Sequence, residues 1–233
     1  MKLFVAVPVY QDMPVDFARC LLQLWPFVRF LQGESLIPRA RNCLSADFLQ
    51  TDCTHCLFID CDILFTTQDV ERLLSHYEAI VGGLYPIKRD GELIYSAEAL
   101  PDLPPPDERG LLPLRYIGTG FLLVRRDVLE SMITAYGDEI SYIADRTRRL
   151  EHDFWRVGVY KPGQGQPARY MSEDWFFCQR ALDLGFKVYA DTRVVLKHIG
   201  TINYPATSQE ARWDDNKGHI VNTNKGDKQQ DGS

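Results

Sequence analysis

The sequence predicts an α/β fold, a mostly parallel central sheet with helices on both faces, and three observations lead there. Leu57-Phe58-Ile59 is apolar at three consecutive positions and runs straight into Asp60-Cys61-Asp62, as expected of a strand buried on both faces rather than one that alternates. Strand-like and helix-like stretches alternate through the first half of the chain, the pattern of βαβ units whose right-handed crossovers bring the strand C-termini to one edge. With 233 residues, 45% of them hydrophobic and 12% aromatic, the chain can build one well-packed domain with at most a small elaboration.

Leu3-Phe4-Val5-Ala6-Val7 reads as the first strand, stopped at Pro8, with Val9-Tyr10-Gln11-Asp12 as a loop on the ligand edge. Asp12 is placed to cap a helix with Pro14 in its first turn. Phe17, Ala18, Leu21, Leu22 and Leu24 form that helix's apolar stripe, which ends before Pro26. Phe27 to Leu31 follows as a strand, Gly33-Glu34-Ser35 as a turn, and Pro38 opens a helix burying Ala40, Cys43, Leu44, Ala46, Phe48 and Leu49. Arg39, Arg41 and Asn42 stand at its start, where cations oppose the helix dipole and call for an anion or a carboxylate. Thr67 is read as the cap of a helix through Val70, Leu73 and Leu74, and Ala79-Ile80-Val81 as a strand entering Gly82-Gly83.

Between Ala99 and Pro113 five prolines and mixed charge predict a surface loop. Leu114 to Arg126 reads as one strand interrupted by Gly118-Thr119-Gly120, and Asp127 opens a short helix carrying Leu129, Met132 and Ile133. The stretch from Gly137 to Tyr170 has the polar, aromatic composition of substrate-facing loops. Ser172 is expected to cap a helix with Glu173 and Asp174 in its first turn, closed by Gly185. Short strands at Lys187 to Ala190 and Val194 to Lys197 lead to His198-Ile199-Gly200. From about Asn222 the polar composition predicts a disordered tail.

A formal net charge of -6 with no basic stripe argues against nucleic-acid binding. Met1-Lys2 leads directly into the first strand, and no stretch is long and apolar enough to span a bilayer, so the expectation is a soluble cytoplasmic protein. Cys20, Cys43, Cys53, Cys56, Cys61 and Cys178 are scattered through expected helices and strands and read as reduced thiols. Cys53-Thr54-His55-Cys56 raises the idea of zinc but lacks a second ligand pair at the usual spacing.

Asp60 and Asp62 lie at a strand's C-terminal edge, where two close carboxylates need a cation or a set of donors between them. A strand-end turn is the alternative. Four stretches stand together: Val7-Pro8-Val9-Tyr10, Pro38-Arg39-Ala40-Arg41-Asn42, Asp60-Cys61-Asp62, and Ser172-Glu173-Asp174 followed by His198. In this order the chain resembles the GT-A-type nucleotide-sugar glycosyltransferases from Met1 to about Gly200, closest to the compact transferases of bacteria, phages and large DNA viruses.

That resemblance implies a GT-A-like, Rossmann-type sandwich over residues 1–205, with a nucleotide-binding half at 1–90, an acceptor half at 91–205 and a C-terminal extension at 206–233. It implies a nucleotide-diphosphate sugar, a UDP-sugar by preference, as co-substrate, and a glycan, lipid-linked or protein acceptor. Asp62 and His198 would ligate Mn²⁺, or Mg²⁺, with Asp60 sharing the metal or the ribose. Imidazole favours manganese. Pro8, Tyr10 and Asp12 would receive the base and ribose. Arg41, supported by Asn42, would reach the donor or Asp60; Arg39 is two residues from Arg41, so the two cannot share a helix face. Gly118, Thr119 and Gly120 would let backbone approach the sugar, or mark a bulge. Asp174 would be the base of an inverting transfer, with Glu173 competing for the role. Trp155 and Trp175 would be acceptor platforms or core. Other readings are a haloacid-dehalogenase-type phosphatase using Asp60 and Asp62, and a non-catalytic nucleotide-sugar-binding module.

Overall fold

The structure is a computed structural model that describes residues 1–24, 27–88, 94–100, 104–162, 167–200, 203–205, 211–214 and 219–222. The first half runs β1 (Leu3–Val9), α1 (Val15–Leu21), β2 (Phe27–Gln32), α2 (Ile37–Leu49), β3 (His55–Ile59), β4 (Ile63–Leu64), α3 (Thr67–Ser75) and β5 (Ile80–Gly83). It continues through β6 (Ala97–Ala99), β7 (Leu111–Ile117), β8 (Phe121–Arg125) and α4 (Arg126–Ile140). Two hairpins follow, β9 (Ser141–Ile143) with β10 (Leu150–His152) and β11 (Gly158–Tyr160) with β12 (Arg169–Met171). Then come α5 (Glu173–Asp183), β13 (Val188–Asp191), β14 (Lys197–Ile199), β15 (Asn203–Pro205), β16 (Ala211–Asp214) and β17 (His219–Asn222).

The central sheet has eight strands in the order β2-β1-β3-β8-β5-β13-β7-β6. The joins β2-β1, β1-β3 and β5-β13 are parallel. β8 enters antiparallel between β3 and β5, and β7 and β6 add antiparallel joins beyond β13. The chain therefore has a mixed α/β architecture whose parallel blocks are β2-β1-β3 and β5-β13. The expected single strand from Leu114 to Arg126 is two strands that are not neighbours, and Gly118-Thr119-Gly120 carries the chain from one to the other.

Alternation along β1 divides the core. Phe4 and Ala6 join one buried cluster with Leu44 and Phe48 of α2, Val128, Leu129 and Met132 of α4, and Phe176 and Phe177 of α5. Val5 and Val7 join the other with Phe17 and Leu21 of α1 and Val70 and Leu73 of α3. Helices thus cover both faces, as the unbroken burial of β3 requires. Since β2 and β3 flank β1 on opposite sides, right-handed crossovers place α1 and α2 on opposite faces.

Several local expectations change. Pro8 does not stop β1: it lies inside the strand, opposite Leu31 on β2. Pro14 holds the N-cap position of α1 without a side-chain cap, so Asp12 does not cap that helix. Thr66, not Thr67, caps α3 in a reciprocal box with Asp69. α4 runs on to Ile140 through Gly137, and the segment to Tyr170 contributes the two hairpins and buried residues rather than loop alone. Phe154 and Trp155 are fully buried, and the Trp155 ring stacks on Phe177 at 4.1 Å and meets Phe58 edge-on at 4.8 Å. Trp155 is core, not an acceptor platform.

Ile220 on β17 is buried in the same cluster, and its carbonyl accepts the Tyr95 N–H at 3.3 Å. The tail expected beyond Asn222 lies outside the described residues. Among the described residues no helix is long and apolar enough to cross a membrane.

Candidate active site

β1 leads to β2 on one side while β3 leads away toward β5 on the other, so the strand order turns between β1 and β3. The crevice outside the carboxyl ends of such strands is the natural ligand site of an open α/β sheet. Asp60, Cys61 and Asp62 follow β3 directly. The short antiparallel join of β14 with β4 sets His198 opposite Ile63, and the Ile199 N–H donates to the Asp62 carbonyl at 2.7 Å. Two residues 136 positions apart are thereby fixed side by side.

Within this pair, His198 Nδ1 lies 2.7 Å from the Pro86 carbonyl oxygen and Nε2 lies 3.3 Å from Asp62 Oδ2. A carbonyl only accepts, so Nδ1 carries a proton, and Nε2 faces the carboxylate either as an N–H of the imidazolium or as a lone pair of the neutral ring. That juxtaposition is favourable only with a cation between the two or a second proton on the ring. Metal-bound histidines share this arrangement, the far nitrogen donating to a backbone carbonyl. Lys88 Nζ also reaches Asp62 Oδ2, at 2.5 Å. Burial pushes the Asp62 carboxyl up, but the His198 and Lys88 contacts outweigh it and hold it below the ordinary aspartate range.

Asp60 is turned away from this pair. Arg41 Nη2 donates to its Oδ1 at 2.9 Å and Oδ2 at 3.2 Å, and Arg41 Nη1 donates to Glu173 Oε1 at 2.5 Å. Arg41 is 4% exposed, so the charge at the start of α2 is answered by two carboxylates rather than by water. Its guanidinium carbon lies 6.0 Å from the Trp155 ring. Among the described residues no three His, Cys, Asp or Glu side chains form a ready-made metal group. Asp62 and His198 suit a cation that keeps waters and takes its remaining ligands from phosphate.

Asp174 sits at the start of α5, beside Glu173. Its Oδ1 accepts from the Ser172 hydroxyl and from the Trp175 N–H at 2.8 Å, and Oδ2 has no hydrogen-bond partner among the described residues. Burial, aided by the Glu173 charge, raises its pKa above the ordinary aspartate value.

Tyr85 is buried beside His198. Its Oη accepts the Gly120 N–H at 2.9 Å and its ring meets the His198 ring edge-on at 5.4 Å. A Cβ on Gly120 would stand 2.7 Å from Tyr85 Cζ, and one on Gly118 2.5 Å from Ser96 Oγ. Both glycines thus make room for neighbouring side chains. Thr119 is buried between them, and its hydroxyl has no hydrogen-bond partner among the described residues.

Other expected site residues lie elsewhere or serve the framework. Arg39 is on the outer side of α2, where Nε and Nη2 both donate to Glu34 at 2.7 Å. Asn42 is buried, donating to Asp153 Oδ1 at 2.8 Å and accepting the Trp155 N–H at 3.0 Å. Tyr10 is 58% exposed, and the Asp12 backbone carbonyl faces the Cys61 thiol at 4.0 Å. Trp175 is half-buried and stacks on Tyr116 at 5.0 Å. Cys53, His55 and Cys56 are buried, and His55 bonds to Thr54 at 2.9 Å. Lys88 and Tyr85 carry no motif of their own in the sequence, although Tyr85-Pro86-Ile87-Lys88 begins one residue after the glycines that end β5.

No protein-family model matches this chain, and no curated protein matches it. Among solved structures it is similar to the crystal structure of A197 from STIV, with a TM-score of 0.56 over 96% of this chain and 95% of that one. At 16% identity the likeness carries the fold alone.

Proposed function

We propose that this chain is a metal-dependent glycosyltransferase of GT-A type, moving a sugar from a nucleotide-diphosphate sugar, a UDP-sugar by resemblance, to an acceptor hydroxyl with inversion. The observation that carries the reading is the His198 ring, held by the Pro86 carbonyl with Nε2 aimed at Asp62 Oδ2. When bound, a divalent cation would supply positive charge to offset the charge that builds on the leaving diphosphate. Asp62 and His198 Nε2 would hold it; the imidazole favours Mn²⁺ over Mg²⁺.

The remaining residues divide the work by their partners. Asp174 offers an open Oδ2 while its Oδ1 is held by Ser172 and Trp175. A carboxylate whose pKa is raised by burial is better matched to taking a hydroxyl proton near neutrality than an ordinary one. Glu173 is committed to Arg41, which supports a positioning role for it and leaves the base to Asp174. Arg41 in turn holds Asp60 at the C-terminal end of β3. The acceptor hydroxyl would come from a glycan, a lipid-linked sugar or a protein. In the phosphatase alternative Asp60 would have to attack phosphorus, yet both its oxygens already accept from Arg41.

The test is release of nucleoside diphosphate from a panel of nucleotide sugars. Turnover is expected with Mn²⁺, lost on chelation and restored by adding the metal back. No turnover or hydrolysis across the panel, or aryl-phosphate hydrolysis abolished by Asp60→Asn, would overturn the reading.

A further inference from the structure

Asp62 already has a cation on it. Lys88 Nζ lies 2.5 Å from Asp62 Oδ2, the same oxygen that faces His198 Nε2 at 3.3 Å. The ammonium therefore sits on the oxygen that a metal held between Asp62 and His198 would need. The segment that brings it there, Tyr85 to Lys88, also supplies the Pro86 carbonyl on His198 Nδ1 and the Tyr85 ring against the His198 ring. One short stretch after β5 thus orients the histidine and charges the aspartate.

We infer that Lys88 is a built-in stand-in for the divalent cation: it neutralises Asp62 in the free protein, yields that oxygen when metal enters, and then binds the donor's diphosphate. The inference rests on the transferase reading above. A lysine suits such an exchange, since its ammonium is a compact point charge with three donors on a flexible stem. Its side chain is 39% exposed, which leaves it free to turn from the carboxylate to a phosphate within the crevice. An arginine locked bidentate, as Arg41 is on Asp60, could not do so without abandoning its partner.

The consequence is competition in the free protein and cooperation in the loaded one. Removing the ammonium frees Asp62 for metal and takes one positive charge from the diphosphate. For a half-exposed pair the gain in metal affinity is about fivefold.

The experiment titrates Mn²⁺ into the metal-free chain and follows the free aquo ion by electron paramagnetic resonance, in wild type, Lys88→Met and Lys88→Gln. UDP binding at saturating Mn²⁺ is then measured by calorimetry on the same samples. Both variants should bind Mn²⁺ roughly fivefold more tightly and UDP more weakly than wild type. Equal or weaker Mn²⁺ binding in both variants would overturn the role of Lys88 while leaving the transferase reading intact. A wild type that binds neither Mn²⁺ nor UDP would overturn the metal-dependent reading and this inference with it. Because Lys88 is a surface side chain, matched unfolding midpoints are expected for all three proteins.

Discussion

Replacing Asp174 with asparagine should lower turnover by about 10²- to 10⁴-fold while leaving nucleotide affinity in place and making the fold more stable at neutral pH. The amide keeps the shape and can still accept from the Ser172 hydroxyl and the Trp175 N–H, so geometry survives and only the proton acceptor is lost. The gain in stability follows from the raised pKa, caused first by burial and then by the Glu173 charge. A carboxyl that binds its proton more tightly folded than unfolded favours the native state at low pH. That contribution is lost as pH rises through the folded pKa. At neutral pH the wild type therefore carries a strained carboxylate that asparagine removes. Below the ordinary aspartate pKa both proteins are neutral there and the difference should vanish. Thermal unfolding across this window, beside steady-state turnover, checks both parts. A variant that is less stable at neutral pH would mean that the charge is structural. The activity of the wild type should correspondingly rise with pH through a value above the usual aspartate range.

Arg41→Met should destabilise the fold by about 3 kcal/mol, at the lower end for breaking a buried ion pair because Asp60 is 31% exposed. The methionine fills most of the space but leaves Asp60 and Glu173 without their shared cation, and Glu173 is only 15% exposed. The loss should appear as a lower urea midpoint with an unchanged slope. Adding Asp60→Asn and Glu173→Gln should recover much of it, since a neutral cluster has no uncompensated charge to desolvate. Arg41→Lys should rescue poorly, because a point charge cannot span both carboxylates as the planar guanidinium does. A loss below about 1 kcal/mol in Arg41→Met would place the cluster with ordinary surface pairs.

Much of the fold was legible wherever one residue pattern admits one structure. Three apolar residues before Asp60 placed β3 in the middle of the sheet, and Pro38 with Ala40, Leu44 and Phe48 placed α2 within a residue of its start. Gly185, with φ of +85°, closes α5 in the left-handed conformation expected of a helix-ending glycine. What could not be read was set by distant partners. β8 enters antiparallel between β3 and β5 because of pairings 40 and more residues apart, which no local propensity records. The three-residue strands of β9 to β12 are too short to show a period.

The site was legible in the same uneven way. Asp62, His198 and Asp174 stand out because their residue types carry chemistry at element ends, and folding brings Asp62 and His198 together. Asn42 stands at the start of α2 like a ligand-side residue yet locks Asp153 and the Trp155 backbone, since helix position alone does not tell a buried amide from a binding one. Arg39 and Arg41 differ only in the face of α2 they occupy, and that face depends on Asp60 and Glu173, which are distant in sequence. Lys88 looked like any exposed lysine until folding set it on Asp62.

Calorimetry of UDP with wild type and His198→Ala, each with and without Mn²⁺, tests whether Asp62 and His198 form a metal-dependent diphosphate site. Wild type should bind UDP at least about tenfold more tightly with Mn²⁺, on the scale by which altered metal surroundings change affinity. His198→Ala should lose that increment while keeping its metal-free affinity. An increment of the same size in His198→Ala, or none in wild type with UDP or any other nucleoside diphosphate, would contradict the account.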